Sequence, residues 1–224
     1  MLNQEIFNIL STKLSFWNQL SDSQKELLIA NAKSMSFSKG QSIHSGESEC
    51  IGVVIVKHGI IRTYITSEEG REVTLYRLES GDICILSASC ILQNIDFDVS
   101  IEAETECDII QISSLFFSRL CSENIHVELF SYKLTTERFS DVMWAMQQIL
   151  FTSFDKRLAA FLLDESSRTK SDTILMTHEQ IARHLGTARE VVSRMLKYFS
   201  KEGYVALSRG GISILNKKCL RSIL

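Results

Sequence analysis

The sequence predicts an α+β protein: a β-roll of the jelly-roll kind, then one long helix, then a small helical region with a β-hairpin. Three features of the 224 residues support this prediction. Runs rich in β-branched residues fill the first half, a heptad repeat begins at residue 125, and two helix-start signals follow residue 176. Each feature has its own periodicity, so each predicts a different kind of element.

The first half of the chain changes from helical to strand periodicity. Residues 1–32 predict short helices, with a helix start at Leu20–Gln24 and an apolar face after it. Five strand-like runs then follow, at 50–56, 59–65, 73–78, 99–104 and 107–112. Polar and glycine-containing turns separate these runs, which is typical of a β-roll or barrel.

A heptad seam then follows on one long predicted helix. Its residues recur at alternating spacings of four and three: Ile125, Leu129, Tyr132, Thr136, Phe139, Met143, Met146 and Leu150. A seam of this length favours a coiled coil, so we predict a homodimer with Leu129 to Leu150 at its interface. The alternative is a long helix that packs only on its own domain. A second stripe can cover the roll: Val127, Phe130, Leu134 and Val142.

Two helix-start signals lie close together towards the end of the chain. Thr177 and Gln180 have the spacing of a capping box, and so do Thr187 and Glu190. Gly186, which lies between the two boxes, permits a tight turn. Two short helices joined across a glycine turn predict a helix-turn-helix.

The second of these helices, at about Ala188 to Phe199, has two distinct faces. The inner face is apolar: Val191, Val192, Met195, Leu196 and Phe199. The outer face is polar: Arg189, Glu190, Ser193, Arg194 and Lys197. Arg donates two hydrogen bonds to guanine, Glu accepts one from cytosine, and Ser bonds to bases or phosphates, so the outer face suits a major groove. The alternative is a solvated face on which Glu190 is only a cap.

A hairpin and a basic charge complete the DNA-binding prediction. Strand-like residues flank Ser208–Gly211, so the unit reads as a winged helix whose Arg209 can reach a phosphate. Residues 151–224 contain 13 Lys and Arg against 7 Asp and Glu, whereas residues 1–150 contain 11 against 20. This asymmetry predicts that only the C-terminal part meets a polyanion, namely double-stranded DNA. Two threonines are further predicted contacts, Thr177 and Thr187.

Neither export nor a membrane span is predicted. The chain has no run of about 18 apolar residues, and its first residues lack the basic-then-apolar pattern of a signal peptide. We therefore expect a cytoplasmic protein with no membrane partner, whose six cysteines are mostly reduced and buried.

The order of these elements resembles the family of the catabolite activator protein and the fumarate/nitrate reductase regulator, the Crp/Fnr family. Gly186–Leu196 is similar to the family's recognition-helix motif, and Lys39–Glu47 resembles the first turns of its roll. The resemblance implies three parts: a cyclic-nucleotide-binding-like roll at 1–123, a dimerisation helix at 124–151 and a winged helix-turn-helix at 152–224.

This resemblance also implies a function. Family members are homodimers that bind a palindromic operator and regulate transcription in response to an effector, so RNA polymerase is a further expected partner. By position, Arg189, Glu190 and Arg194 match the family's base-reading residues. Ser193 matches an additional reader of the fumarate/nitrate branch.

The effector is not identified by the resemblance. The segment at 81–83 loosely matches the family's ribose-binding residues, and the segment near 97–99 stands where its phosphate-binding residues lie. No Lys or Arg occurs from Asp82 to Ile112, so a buried phosphate would lack a cation and we expect no cyclic AMP. An iron–sulfur cluster is not expected either, because no cysteine precedes Cys50. The predicted pocket residues are Gly81, Asp82, Ile83, Cys84, Cys90, Phe97 and Asp98.

The cofactor is unknown, and Cys84 and Cys90 allow more than one interpretation. At a spacing of six they can form a disulfide or ligate a metal or haem, which would make the protein a redox sensor. The alternative is two small buried hydrophobic residues. An enzyme is not expected, because the roll has no histidine pair that could ligate a metal and the chain has no phosphate loop or nucleophile motif. The intact outer face of the recognition helix argues against a scaffold protein that does not bind DNA.

Overall fold

The contacts within the chain separate it into two units. The computed structural model describes residues 2–45, 51–85 and 99–224. The roll unit contains Met1–Ile65 and Leu75–Val142, and the C-terminal unit contains Thr66–Thr74 and Met143–Leu224. Each unit has its own hydrophobic core. The boundaries predicted at residues 123 and 151 stay predictions.

Short helices open the roll unit. Helix α1 spans Leu2–Lys13, a 3-10 turn spans Trp17–Gln19, and helix α2 spans Asp22–Ala30. A capping box starts α2: the Ser21 hydroxyl accepts from the Gln24 N–H at 3.2 Å, and the Gln24 side chain accepts from the Ser21 N–H at 3.1 Å. The helix start predicted here is confirmed. Leu10 and Leu28 anchor the two helices in the core.

The roll itself consists of short antiparallel strands. They are β1 (Ala32–Phe37), β2 (Ser42–His44), β3 (Val53–His58), β4 (Ile61–Thr66), β5 (Glu72–Leu78), β6 (Ile83–Cys84), β7 (Ser100–Ala103) and β8 (Cys107–Ile112). Among the described residues they form two sheets, with the orders β1-β8-β3-β6 and β2-β7-β4-β5. The five predicted runs are confirmed as β3, β4, β5, β7 and β8. Strands β1 and β2 were not predicted, because their sequences are short of β-branched residues.

Strand β3 begins with four apolar residues, Val53–Val56, because both faces of this part of the strand are buried. Alternate side chains of a strand point to opposite sides of the sheet. Val53 and Ile55 therefore join the core beneath the helices, whereas Val54 and Val56 join the core inside the roll. A strand between two cores reads as a continuous apolar run and not as an alternation.

Two helices follow the last strand of the roll. Helix α3 spans Ser114–Glu123, and α4 spans Ile125–Phe151. The predicted second stripe of α4 covers the roll: Val127 and Leu134 are buried in the core beneath the helices, and Val142 packs against the core inside the roll. Neither α4 nor any other helix in the described ranges combines the length and apolarity that a membrane span needs.

The C-terminal unit packs helices against a small sheet. Its elements are α5 (Phe154–Thr169), β9 (Thr173–Ile174), α6 (His178–Leu185), α7 (Arg189–Lys201), β10 (Val205–Ser208), β11 (Gly211–Ile214) and α8 (Lys217–Ile223). Within the fully described residues 143–224, the sheet has the order β10-β11-β9. Fully buried residues from the helices meet in one core: Leu158, Leu162, Ile181, Val192, Leu196, Phe199 and Leu220.

Candidate nucleic-acid interface

Helix α6 begins and ends as the sequence predicts. The Thr177 hydroxyl accepts from the Gln180 N–H at 3.1 Å, and the Gln180 side chain accepts from the Thr177 N–H at 2.8 Å. The buried pair Ile181 and Ala182 fixes the inner face of this helix. Gly186 ends it with φ of +61°, the left-handed conformation that glycine adopts without strain.

The second predicted capping box is wrong. Helix α7 begins one residue later than that box requires, because its N-cap is Ala188, which has no side chain able to accept a hydrogen bond. The Thr187 N–H instead donates to the Ala182 carbonyl at 3.0 Å, which closes the end of α6. Glu190 therefore has no Thr187 cap to complete, and its side chain is exposed.

The two faces of α7 lie as predicted. Val192, Leu196 and Phe199 are fully buried, and Val191 and Met195 are half-buried beside them. The exposed outer residues are Arg189, Glu190, Arg194 and Lys197, with Ser193 half-buried among them. The inner residues thus fix the rotation of the helix about its axis, so that a polar surface faces outward.

The cations of this outer face are available to a ligand. In the described part of the chain, no carboxylate forms an ion pair with Arg189, Arg194 or Lys197. Burial, aided by the charges of Arg189 and Lys197, holds the pKa of His178 below its usual value. His178 is the first residue of α6, so the charges of Arg189 and Lys197 act near the start of this helix. Positive charge beside a helix N-terminus is the environment that a phosphate prefers.

The predicted hairpin forms after α7. Strands β10 and β11 pair antiparallel, with Ser208 opposite Gly211. The Ser208 hydroxyl donates to the Gly211 carbonyl at 3.1 Å, and Gly210 has φ of +84°. This turn leaves Arg209 exposed at the tip, where its side chain can reach a phosphate.

Arg157 joins α5 to the end of α6 and is not among the predicted site residues. From α5, its Nη1 donates to the Leu185 carbonyl at 2.8 Å, at the end of α6. Its guanidinium also lies 5.5 Å from the centre of the Phe154 ring. No periodic pattern marks such a residue, because its role depends on how α5 packs against α6.

The predicted seam of α4 presents a row of exposed apolar side chains. Phe139 is 63% exposed and Leu150 is 65% exposed. All seven predicted interface residues are exposed: Leu129, Tyr132, Thr136, Phe139, Met143, Met146 and Leu150. A contiguous apolar surface of this kind usually marks a protein–protein contact.

The predicted effector pocket is only partly within the described residues. Gly81 has φ of +99°, and the Asp82 carboxylate accepts from the Glu79 N–H at 2.8 Å, so this segment makes a tight turn. Ile83 and Cys84 are buried in β6. The remaining residues of the prediction lie outside the described ranges: Cys90, Phe97 and Asp98. The proposed Cys84–Cys90 pairing therefore stays a prediction.

The described strands of the roll have no metal-ligating cluster, and their two arginines are already paired. Among described residues, no group of three His, Cys, Asp or Glu side chains is arranged to hold a metal. Arg62 and Arg77 are each paired with a carboxylate, Glu102 at 2.8 Å and Glu104 at 3.1 Å. Neither of these two arginines is free to neutralise a buried phosphate. The expectation that cyclic nucleotides do not bind stays a prediction.

Both units match known family models. Residues 156–223 match the Crp-like helix-turn-helix domain, and residues 34–124 match the cyclic nucleotide-binding domain. A solved structure from Eubacterium rectale ATCC 33656, described as a transcriptional regulator of the Crp/Fnr family, is 46% identical with a TM-score of 0.92. That likeness covers 95% of this chain and 98% of the other.

Curated relatives match across both units as well. The nitrogen fixation regulation protein FixK of Bradyrhizobium diazoefficiens is 29% identical over 187 residues, which are 80% of this chain and 77% of FixK. The cAMP-activated global transcriptional regulator CRP of Salmonella typhimurium is 26% identical over 175 residues, which are 75% of this chain and 82% of CRP. The resemblance inferred from the sequence is confirmed: the chain belongs to the Crp/Fnr family of DNA-binding transcriptional regulators.

Proposed function

We propose that the protein binds an inverted-repeat operator as a homodimer in the cytoplasm and regulates transcription there in response to an effector. The observation that carries this proposal is the exposed outer face of α7, whose cations have no carboxylate partner among the described residues. Arg189, Glu190, Ser193 and Arg194 read base edges in this proposal. Phosphates are contacted by Lys197, Thr177, Thr187 and Arg209.

The homodimer is supported by the exposed seam of α4. Its apolar side chains recur at spacings of four and three over nearly four heptads, the pattern that a second, identical helix covers best. Exposed aromatic residues such as Phe139 are costly on a monomer surface, since burying one removes about 1.5–3 kcal/mol of unfavourable hydration. Two copies of the protein bury these side chains when their seams pack against each other across a two-fold axis.

Two-fold symmetry determines the kind of operator. Two recognition helices related by a two-fold axis bind half-sites whose centres lie about one helical turn apart, roughly 34–36 Å. The resemblance to the family implies a half-site with a TGA-like core. Glu190 and Arg194 then contact its G·C pair, and Arg189 reads a second guanine where one is present.

The test is the affinity of the purified protein for an inverted repeat of TGA-containing half-sites, measured by fluorescence anisotropy over a salt series. Arg194→Ala should weaken binding by about 1–3 kcal/mol and relax the preference at one base pair. Lys197→Ala should weaken every sequence alike and reduce the salt slope by about one. Arg119→Ala is the matched control, because Arg119 is exposed on α3 in the roll unit.

Two results would contradict the proposal. One is equal affinity of the wild-type protein for the inverted repeat and for a scrambled duplex of the same composition. The other is an effect of Arg119→Ala as large as that of Arg194→Ala, since a general loss of positive charge would then explain both.

A further inference from the structure

One charged residue of α4 faces the roll. The inward stripe of this helix is otherwise apolar or small: Val127, Ser131, Leu134 and Val142. Arg138 lies on the same stripe, one turn before Val142, and its side chain is only 14% exposed. A guanidinium removed from water needs partners that replace its hydration, so the groups around Arg138 indicate why it lies there.

Those groups form a small polar cluster inside the apolar core of the roll. The Arg138 guanidinium lies 5.3 Å from the centre of the Tyr76 ring, and the Tyr76 hydroxyl lies 3.8 Å from the Cys84 sulfur. Thr63, fully buried on β4, is next to the same hydroxyl. A tyrosine hydroxyl is protonated at neutral pH and can donate a hydrogen bond, and burial, reinforced by Cys84, raises the pKa of Tyr76 further.

Two atoms of this cluster lack a hydrogen bond of good geometry. Among the described residues, Arg138 Nε makes no hydrogen bond, and the Thr63 hydroxyl makes only a poorly aligned one with Tyr76. The other side of the guanidinium is only partly engaged: Nη1 donates to the Asp141 carboxylate at 2.7 Å, and the side chain of Asp141 is 43% exposed. Buried polar groups that lack good hydrogen bonds destabilise a fold, so each needs an explanation, and a ligand that completes the bonding is one.

We propose that Arg138, Tyr76 and Thr63 bind the carboxylate of a small, mainly apolar organic acid, and that this acid is the effector. Guanidinium groups bind carboxylates through paired, charge-assisted hydrogen bonds. The described side chains that share this core with Tyr76 are mostly apolar, among them Leu75 and Val99, so we expect the body of the ligand to be apolar too. A nucleotide fits this cluster poorly, because its sugar and base carry many polar groups that these walls leave unpaired.

The position of Arg138 also gives the acid a route to the regulated part of the molecule. Arg138 is adjacent to Phe139, which belongs to the exposed seam of α4. When the carboxylate binds the guanidinium, Asp141 can turn to solvent, and the ligand then holds α4 directly. This inference rests on the proposed function, because it supplies the effector of that regulator.

A panel of acids and matched amides tests the proposal on the full-length protein. The probes are hexanoate, octanoate, benzoate and phenylacetate, each beside its primary amide, with cyclic AMP as a further arm. At least one acid should raise the melting temperature by several degrees, as a ligand well above its Kd does. Its amide should not. Arg138→Gln should weaken the Kd of that acid by about tenfold or more, and Arg119→Gln should leave it unchanged.

A second variant tests the site without any ligand. If Arg138 is retained for binding, Arg138→Met removes a poorly partnered buried charge and should leave the melting temperature of the ligand-free protein unchanged or raised. A melting temperature several degrees below wild type would assign Arg138 a structural role and overturn the proposal. Stabilisation by no acid, equal stabilisation by acid and amide, or stabilisation by cyclic AMP alone would also overturn it.

These measurements do not involve DNA, so they separate the two proposals. A protein that binds an acid through Arg138 but discriminates no operator would refute only the proposed function. A protein that discriminates an operator but binds no acid of the panel would refute only the effector site.

Discussion

Glu190 can be tested as a base reader without the ambiguity of a capping role. The N-cap of α7 is Ala188, and the Glu190 side chain is exposed in the first turn of the helix. Glu190→Gln therefore removes one favourable interaction with the helix dipole, worth about 0.3–1 kcal/mol. If Glu190 accepts a hydrogen bond from cytosine, the same change removes about 1–3 kcal/mol of base discrimination, or about 5- to 150-fold in relative affinity.

The assay has two readouts, melting temperature and base preference. Wild-type and Glu190→Gln proteins each select sites from a randomised duplex library, and anisotropy at one fixed salt concentration then ranks the selected half-sites. Gln180→Ala is the structural control, because it removes the side chain that completes the capping box of α6. The control should lower stability by about 0.5–1.5 kcal/mol and leave base preference unchanged.

Two outcomes would refute this reasoning. If wild-type and Glu190→Gln proteins select the same half-site with the same discrimination, Glu190 is not a reader. If Glu190→Gln lowers the melting temperature at least as much as Gln180→Ala does, Glu190 supports the fold in a way that the observed N-cap does not explain.

Four other outcomes are expected. Replacing both Met143 and Met146 with Glu places like charges in the seam, so sedimentation should find monomers, and an unchanged dimer would refute the interface. Millimolar cyclic AMP or cyclic GMP should not shift the melting temperature. A ligand that does bind, at about 100 times its Kd, adds about 2.7 kcal/mol of stability, so a shift of several degrees would contradict the prediction that cyclic nucleotides do not bind. If Cys84 and Cys90 are a redox pair, diamide should change the DNA affinity of the wild type but not of the double Ser variant, and equal affinity of oxidised and reduced wild type would leave both as core residues. Burial lowers the pKa of His178, so the unfolded chain binds a proton there more tightly than the folded protein does. The free energy of unfolding should therefore fall as the pH drops below about 6.5. A His178→Gln variant whose melting temperature depends on pH as the wild type's does would contradict this prediction.

The predictable part of the fold is the part that periodicity determines. The run Val53–Val56 and the outer face of α7 follow from which side chains a strand or a helix presents to each side. The second capping box failed for a related reason. The Thr-x-x-Glu spacing is a local pattern. It does not determine the length of the turn between Gly186 and the first residue of α7.

The unpredicted part of the candidate sites depends on contacts between elements distant in sequence. The heptad pattern of α4 predicts only which side of this helix meets a partner. The neighbours of Arg138, Tyr76 and Thr63, come from strands more than sixty residues earlier. The absence of Lys and Arg from 82 to 112 correctly describes one stretch of the roll. That stretch gives no sign of Arg138, which α4 brings to the same core.

Arg157 has a consequence for how the set of target sequences can evolve. Its hydrogen bond to the Leu185 carbonyl lies directly before the turn that leads into α7. Substitutions in the side chains that pack around that bond would tilt α7 without changing any residue on its outer face. Divergence in operator preference between related regulators can therefore begin in packing residues, so an unchanged recognition helix does not guarantee an unchanged regulon.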